Sequence, residues 1–307
     1  MMRSLYSAIT GLKNHQTSMD IIGNNIANVN TAGYKRQRAS FATMLGQQIR
    51  GASAPTTTMG GTNGVSIGLG SILGSVDKVM GQGSSQYTGK ATDMMIQGEG
   101  MFVLNTGTNN VYTRVGNFDF DKDGTLINVG TGAKVQGYTS VCAVTAGNAT
   151  TAAVVTPDAA NPWGNPPVPN GIKFKLGETL TGDTDYTLSS YSIGQDGVVT
   201  GVYSDGIYSV TKAMFKIAIA TFPNPGGLTA EGNNYYSESN NSGPAAIDSP
   251  GAKGRGMIIP NYLEMSNVDL SQEFTDMIVT QRGFQANSRV ITVSDTLLQE
   301  LIDLKRN

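Results

Sequence analysis

The sequence predicts a multidomain α+β protein. Its terminal helices carry a coiled-coil pattern, and its middle forms mainly β domains. Three observations carry this. Apolar residues recur every seven positions at both ends of the chain. Between the ends, short alternating apolar runs are separated by turn dipeptides. Glycine takes 39 of 307 positions, nearly twice its usual share of about 7%, which suits turns and close backbone approaches better than helix interiors.

In the N-terminal segment Leu5, Leu12, Met19 and Ile26 are spaced by seven, with Ala8, Ile22 and Val29 beside them. This stripe predicts a helix from about Ser4 to Asn28. Gly11 and Gly23 weaken that helix and also admit a close neighbour. Asn28 to Gly33 reads as its stop. The stretch Gly46 to Gly64, rich in Gly, Ser and Thr, reads as an extended or loosely structured connector within residues 30–66.

A β-rich middle domain is assigned to 67–138 and 190–267. Its strand signals are Met101–Leu104, Tyr112–Val115, Thr125–Ile127, Gly197–Val199 and Phe215–Ala220, with turns at Asn109-Asn110, Asp123-Gly124 and Pro223–Gly227. Residues 139–189 shift to Ala and Thr, then to Pro over 162–169, and are assigned to an inserted outer β domain with strands at Ile172–Phe174 and Tyr186–Leu188.

The C-terminal segment repeats the seven-residue pattern at Leu270, Met277, Phe284, Ile291 and Leu298, with Phe274 and Ile302 on an offset seam. Val290, Val293, Leu297, Leu301 and Leu304 widen its apolar coverage. Ser266 with Asp269 reads as a capping pair, and Lys305 and Arg306 suit the carboxyl end. The expected helix, Val268 to Leu304, would be about 55 Å long, which is long for a globular core. Two readings follow: a helical hairpin within one monomer, or a terminal coiled coil whose extra apolar face packs on neighbouring copies. Residues 1–29 and 268–307 are grouped as that helical domain. The candidate assembly interface is Leu5, Leu12, Met19, Ile26, Leu270, Phe274, Met277, Phe284, Ile291 and Leu298.

Composition and failed motifs exclude most chemistry. With 21 Lys+Arg against 23 Asp+Glu, no basic nucleic-acid binder is indicated. One cysteine, Cys142, excludes an internal disulfide, and one histidine, His15, argues against a His-based zinc site or a Ser-His-Asp triad. Asp119 to Gly124 begins like a calcium loop, but the twelfth position is Gly130 where a bidentate Glu is needed. Gly89-Lys90 lacks the earlier glycine of a phosphate loop (Ser84) and its hydroxyl residue (Ala91). Gly81-Gln82-Gly83 lacks the third glycine of a dinucleotide motif.

No catalytic, cofactor or metal residues are therefore assigned. His15 is expected on the polar side of the first helix or in an intersubunit contact. Gln281, Arg282 and Asn287 are either buried anchors of register or a solvated face. Cys142 reads as a small buried hydrophobe or as a thiol at a subunit contact. No cleaved signal peptide and no apolar window of 18 residues is visible, which by itself suggests a soluble cytosolic protein.

Three stretches resemble the flagellar rod and hook family of axial proteins: Ser4–Leu12 continuing to Asn24–Lys35; Tyr112–Phe118 with Asp123-Gly124 and Val135–Tyr138; and Leu263–Leu270 through Gln281–Asn287 to Arg306. A fourth, Phe222–Leu228 with Gly232–Asn234, is similar. The resemblance implies a non-enzymatic, cofactor-free subunit that polymerises with itself into a helical tube, with the terminal helices inside and β domains outside. It implies export by the flagellar machinery without a cleaved signal and an extracellular place in the basal body and hook. The implied partners are rod and hook–filament junction proteins and the hook cap, with no nucleic acid and no stable membrane insertion. Within the family, the stretch 139–189 and the wording of the C-terminal segment point to a hook-type subunit, a flexible joint that transmits torque from rod to filament. A distal rod subunit and an unrelated secreted β-rich adhesin are the alternatives.

Overall fold

The computed structural model describes residues 2–55, 59–139, 142–145, 154–157, 171–179 and 186–306. The chain forms two compact units. Unit 1 is Met1–Val29, Lys35–Val79 and Val268–Asn307; unit 2 is Asn30–Tyr34 and Met80–Asn267.

Unit 1 contains helix α1 (Met2–Ala27), strands β1 (Gln37–Thr43), β2 (Gly46–Arg50), β3 (Val65–Gly68) and β4 (Ser71–Lys78), and helix α2 (Leu270–Arg306). The start of α2 differs from expectation. The Asp269 carboxylate accepts the N–H groups of Ser271 at 2.9 Å and Gln272 at 3.4 Å, and its carbonyl accepts that of Glu273 at 3.0 Å. Asp269 is thus itself the N-cap, satisfying two of the donors a helix start leaves open. A cap at Ser266 would require the helix to start three residues earlier.

The expected loose connector is also different. β1 pairs antiparallel with β4 from Gln37↔Lys78 to Thr43↔Ser71, and β2 pairs with β3 from Gly46↔Gly68 to Arg50↔Val65. Met44 N–H donates to the Gly70 carbonyl between the two pairs, and Ser53 and Thr62 exchange backbone bonds further out. The result is a two-stranded ribbon. Its backbone groups are paired although β2 and β3 are exposed at every residue. With no buried face, the sequence carries no alternation to announce these strands.

Unit 2 is built of strands. In chain order they are β5 (Ser85–Tyr87), β6 (Met94–Gln97), β7 (Met101–Asn105), β8 (Asn110–Thr113), β9 (Phe118–Phe120), β10 (Leu126–Asn128), β11 (Lys134–Val135), β12 (Gly137–Thr139), β13 (Cys142–Thr145) and β14 (Val154–Pro157). There follow β15 (Thr187–Ile193), β16 (Val198–Ser204), β17 (Ser209–Ile217), β18 (Ile219–Thr221), β19 (Thr229–Gly232), β20 (Tyr235–Ser237), β21 (Ala246–Asp248), β22 (Met257–Pro260) and β23 (Tyr262–Glu264). The largest sheet runs β19-β20-β8-β7-β11-β10-β9, with β18 joining β7 to β21. A second sheet runs β12-β17-β16-β15, and β6–β22, β5–β23 and β13–β14 form pairs.

Strand β7 explains the layering. Its run Met101-Phe102-Val103-Leu104 is buried on both faces. Phe102 and Leu104 enter one core with Phe118, Leu126, Val135 and Ile217, while Met101 and Val103 enter a second with Tyr112, Ala220 and Tyr236. An unbroken apolar run in a strand is the sequence form of burial on two sides.

Ile172, Phe174, Tyr186 and Leu188, assigned by sequence to an inserted outer domain, are buried in the first of these cores. Ile172 bonds to Leu126 and Val135 through its backbone, and the Phe174 ring packs edge-on against Phe120 at 4.6 Å. A boundary at residue 189 therefore cuts through continuous core. The expected proline-rich loop at 162–169 lies outside the described residues, as does the side chain of Cys142, whose backbone stands on β13.

Candidate assembly interface

Helices α1 and α2 pack antiparallel within unit 1. Three pairings mark the register: Asn25 with Glu273 through a hydrogen bond of 3.1 Å, His15 over Gly283, and Gly11 under Asn287. The positions in each pair keep a constant sum, so the register is unbroken. Both glycines are notches for polar side chains of the opposite helix. A Cβ on Gly11 would stand 2.7 Å from Asn287 Nδ2, and one on Gly283 2.5 Å from His15 Cε1. A Cβ at either position would require the Asn287 or His15 side chain to move out of its notch. His15 thus sits in the chain's own helix seam, not on a polar outer side. Asn287 is half-buried there, whereas Gln281 and Arg282 are exposed.

The face that α2 turns toward α1 is a heptad of two kinds. Met277, Phe284, Ile291 and Leu298 are half-buried, and between them Glu273, Thr280, Asn287 and Ser294 alternate in steps of four and three. Three of the polar rungs are buried, Glu273 wholly and Thr280 and Ser294 nearly so. Polar rungs in a helical seam fix register and cost stability.

The deepest rung is a network. Asn25 donates to the Gln37 carbonyl at 2.8 Å and accepts the Gln37 N–H at 3.0 Å, copying a strand partner at the root of the ribbon. Glu273 accepts from Asn25 and from Arg36 Nε, and Arg36 also reaches Asp276 at 3.4 Å. Four charged or amide groups from α1, the ribbon root and α2 are thereby satisfied together. The ribbon is held further along α1 by Asn14 Nδ2 donating to Ser71 Oγ at 2.7 Å.

The ten sequence-predicted residues divide. Leu5, Leu12, Met19 and Ile26 on α1, and Met277, Phe284, Ile291 and Leu298 on α2, are half-buried. Leu270 and Phe274 point away, 39% and 50% exposed. Ile278, Val279, Val290, Val293 and Leu297 are exposed as well, spread around the helix. α2 has 37 residues against 26 in α1, and the antiparallel register leaves its last turns without an α1 partner. There Leu301, Ile302 and Leu304 are 51%, 64% and 75% exposed. Of the polar rungs, the sequence points to Asn287 as a candidate register anchor but not to Glu273, Thr280 and Ser294, although their seven-residue spacing is visible.

The acidic turn at Asp119–Asp123 is committed to the fold. Asp121 Oδ1 accepts the N–H groups of Asp123 at 2.8 Å and Thr125 at 3.0 Å. Asp119 pairs with Lys90 at 2.8 Å, and that contact holds its carboxyl below the ordinary range. Among the described residues no cluster of three or more metal-ligating side chains occurs, and no helix is long and apolar enough to cross a membrane.

Residues 5–35 match the family described as flagella basal body rod protein, 95–201 the flagellar hook protein FlgE/F/G D1 domain, and 259–304 the flagellar basal body rod FlgEFG protein C-terminal family. Over their whole lengths the chain and the flagellar basal-body rod protein FlgG of Bacillus subtilis are 44% identical. The chain belongs to the flagellar rod and hook family of axial proteins. Two relatives come from a single organism, Borreliella burgdorferi. Its flagellar hook protein FlgE is 34% identical over 99% of this chain and all of its own length, in an alignment of 444 positions. Its rod protein FlgG is 31% identical over the whole of both chains. As a rod and hook family member the chain is a structural component of the flagellum and not an enzyme, and axial proteins of this family polymerise and associate with other flagellar components.

Proposed function

We propose that the chain is a hook subunit that polymerises into a flexible tube and transmits torque from rod to filament. In this reading the terminal helices form the inner coiled-coil layer and the β unit lies outside. The observation that carries the reading is the number of exposed apolar side chains along α2. Fully burying a Leu, Ile or Phe side chain is worth about 1.5–3 kcal/mol, and Phe274, Ile302 and Leu304 remain in solvent. Burial against neighbouring copies supplies the missing partner, and a repeated heterologous contact builds an open helix of subunits. The candidate interface is made of those exposed side chains, Leu270 and Phe274 included, together with the half-buried ladders of α1 and α2. Rod and hook–filament junction proteins, the hook cap and the export machinery are the proposed partners, with export occurring without a cleaved signal.

The choice of hook is supported by the Borreliella burgdorferi pair, in which the hook protein is the more similar to this chain. A distal rod subunit is the second reading, favoured by the 44% identity to a protein named FlgG. Electron microscopy of polymer grown from the purified chain separates them. A curved, flexible tube supports the hook, a straight rigid one supports the rod, and no polymer under any condition overturns both.

A further inference from the structure

The chain crosses between its two units four times, at 29/30, 34/35, 79/80 and 267/268. Three segments of unit 2 carry those crossings: Asn30–Tyr34, the stretch that begins at Met80, and the stretch that ends at Asn267. All three meet at Glu264. Its backbone carbonyl accepts the Gly33 N–H at 2.8 Å. Its Oε1 accepts the Gly83 N–H at 2.9 Å, and its Oε2 lies 3.3 Å from Arg114. Arg114 in turn donates to the carbonyls of Ile96 at 3.3 Å and Gly98 at 2.7 Å. Met265 N–H to the Ser84 carbonyl, 2.9 Å, and Asn267 Nδ2 to the Gly81 carbonyl, 3.1 Å, tie the second and third segments to each other.

The surroundings admit little else. A Cβ at Gly83 would stand 2.0 Å from the Met265 carbonyl oxygen. Gly33 has φ +69° and would place a Cβ 2.7 Å from Val115 Cγ2, so both position and conformation call for glycine. The Glu264 side chain is wholly buried and that of Arg114 nearly so. Burying an ion pair gains little net stability, because desolvating two charges offsets their attraction. Apolar residues of similar volume would fill the space as well, but they would leave the Gly83 N–H and the Ile96 and Gly98 carbonyls without these partners, and only the backbone bond from Gly33 would still reach residue 264.

We propose that the Arg114–Glu264 pair is a positioning clasp: it gathers the three crossing segments at one point of unit 2, so that every covalent link to unit 1 leaves from a fixed origin. In a tube that bends under torque, a role that rests on the reading above, load passing along the chain from one unit to the other runs through these links.

The test uses the full-length monomer, so its failure is separate from failure of the hook reading. In the double variant Arg114→Met/Glu264→Leu both charges go and volume is kept. Unit 2 is expected to melt at an unchanged or higher temperature, with the Phe102 and Leu104 amides as protected as before. The amides of Gly33 and Met265, whose own backbone acceptors are untouched, are expected to exchange at least tenfold faster. A folded double variant that keeps Gly33 and Met265 protected overturns the proposal. So does a double variant in which unit 2 no longer folds, since the pair would then serve stability and not position.

Discussion

In unit 2 the strand β7 buries both faces, sending Phe102 and Leu104 into one core and Met101 and Val103 into another. In unit 1 the helix α2 does the reverse. It turns Glu273, Thr280 and Ser294 inward against α1 and leaves Phe274, Ile278 and Ile302 in solvent. The first arrangement is complete within one chain, since its apolar area is already removed from water. The second buries polar rungs beside a half-buried apolar ladder and leaves Phe274, Ile278 and Ile302 exposed, as a subunit would if those side chains are to pack on other copies. On the proposed reading, stability and assembly fall on different residues, and each can be altered alone.

The sharpest break of this contrast comes from the overhanging end of α2. Ile302→Asp places a charge where neighbouring copies are proposed to pack, and burying an unpaired charge is prohibitive. Polymer is expected to disappear in electron micrographs, while the monomer, exposed at this position, melts within about 0.5 kcal/mol of the parent. Normal polymer from this variant would remove the overhanging end of α2 from the interface.

The opposite experiment is Phe102→Ala. This ring is fully buried and packs edge-on against Phe118 at 5.1 Å, so the lost burial plus the cavity should cost about 3–5 kcal/mol. Denaturant unfolding followed by tyrosine fluorescence measures it. A loss below about 1 kcal/mol would show that unit 2 is less tightly completed than its burial suggests.

Glu273→Ala sits between these extremes. It strips the acceptor from Asn25 and from Arg36 Nε at the root of the ribbon, and a buried hydrogen-bonding group left unpaired costs about 1–3 kcal/mol. The loss should appear as a lower melting temperature of the helical circular dichroism signal, with the β unit unaffected. An unchanged helical melt would mean that the polar rung does not hold α1 to α2.

The α+β class and the two terminal helices were legible because burial leaves a period: seven for Leu5 to Ile26 and Met277 to Leu298, and a continuous run for Met101 to Leu104. The ribbon was not legible, since Gly46–Arg50 and Val65–Gly68 bury nothing and their pairing leaves no pattern in composition. The boundary drawn at 189 failed for a related reason. The strand signals at Ile172–Phe174 and Tyr186–Leu188 are visible, but composition groups them with the Ala-, Thr- and Pro-rich stretch before them, whereas their side chains return into the core of unit 2. The seam residues were found only by half. A search for apolar periodicity picks up Met277, Phe284, Ile291 and Leu298 and passes over the equally periodic Glu273, Thr280, Asn287 and Ser294. Arg114 lay inside the stretch that carries the family resemblance, yet its partner Glu264 is 150 residues away, and nothing local announces such a pair.

The smallest effect tests the edge of unit 2, where charge and not packing is at work. Asp248 on β21 accepts the Ser249 N–H at 2.8 Å and pairs with Lys253 at 3.0 Å. The backbone bond first, and then Lys253, hold its carboxyl below the ordinary aspartate value. A folded-state value lower than the unfolded one stabilises the protein above the ordinary aspartate range, near pH 4, and the contribution is lost as pH falls through the folded value. Solvent screening of this partly exposed pair limits the contribution to about 0.5 kcal/mol. Asp248→Asn should therefore melt slightly below the parent at pH 7 in low salt, and the two melting curves should converge in acid as the parent carboxyl takes up its proton. Raising salt at pH 7 should narrow the gap as well, because the Lys253 contact is screened. A gap that persists in acid would assign the effect to the shape of the β21 turn and not to its charge.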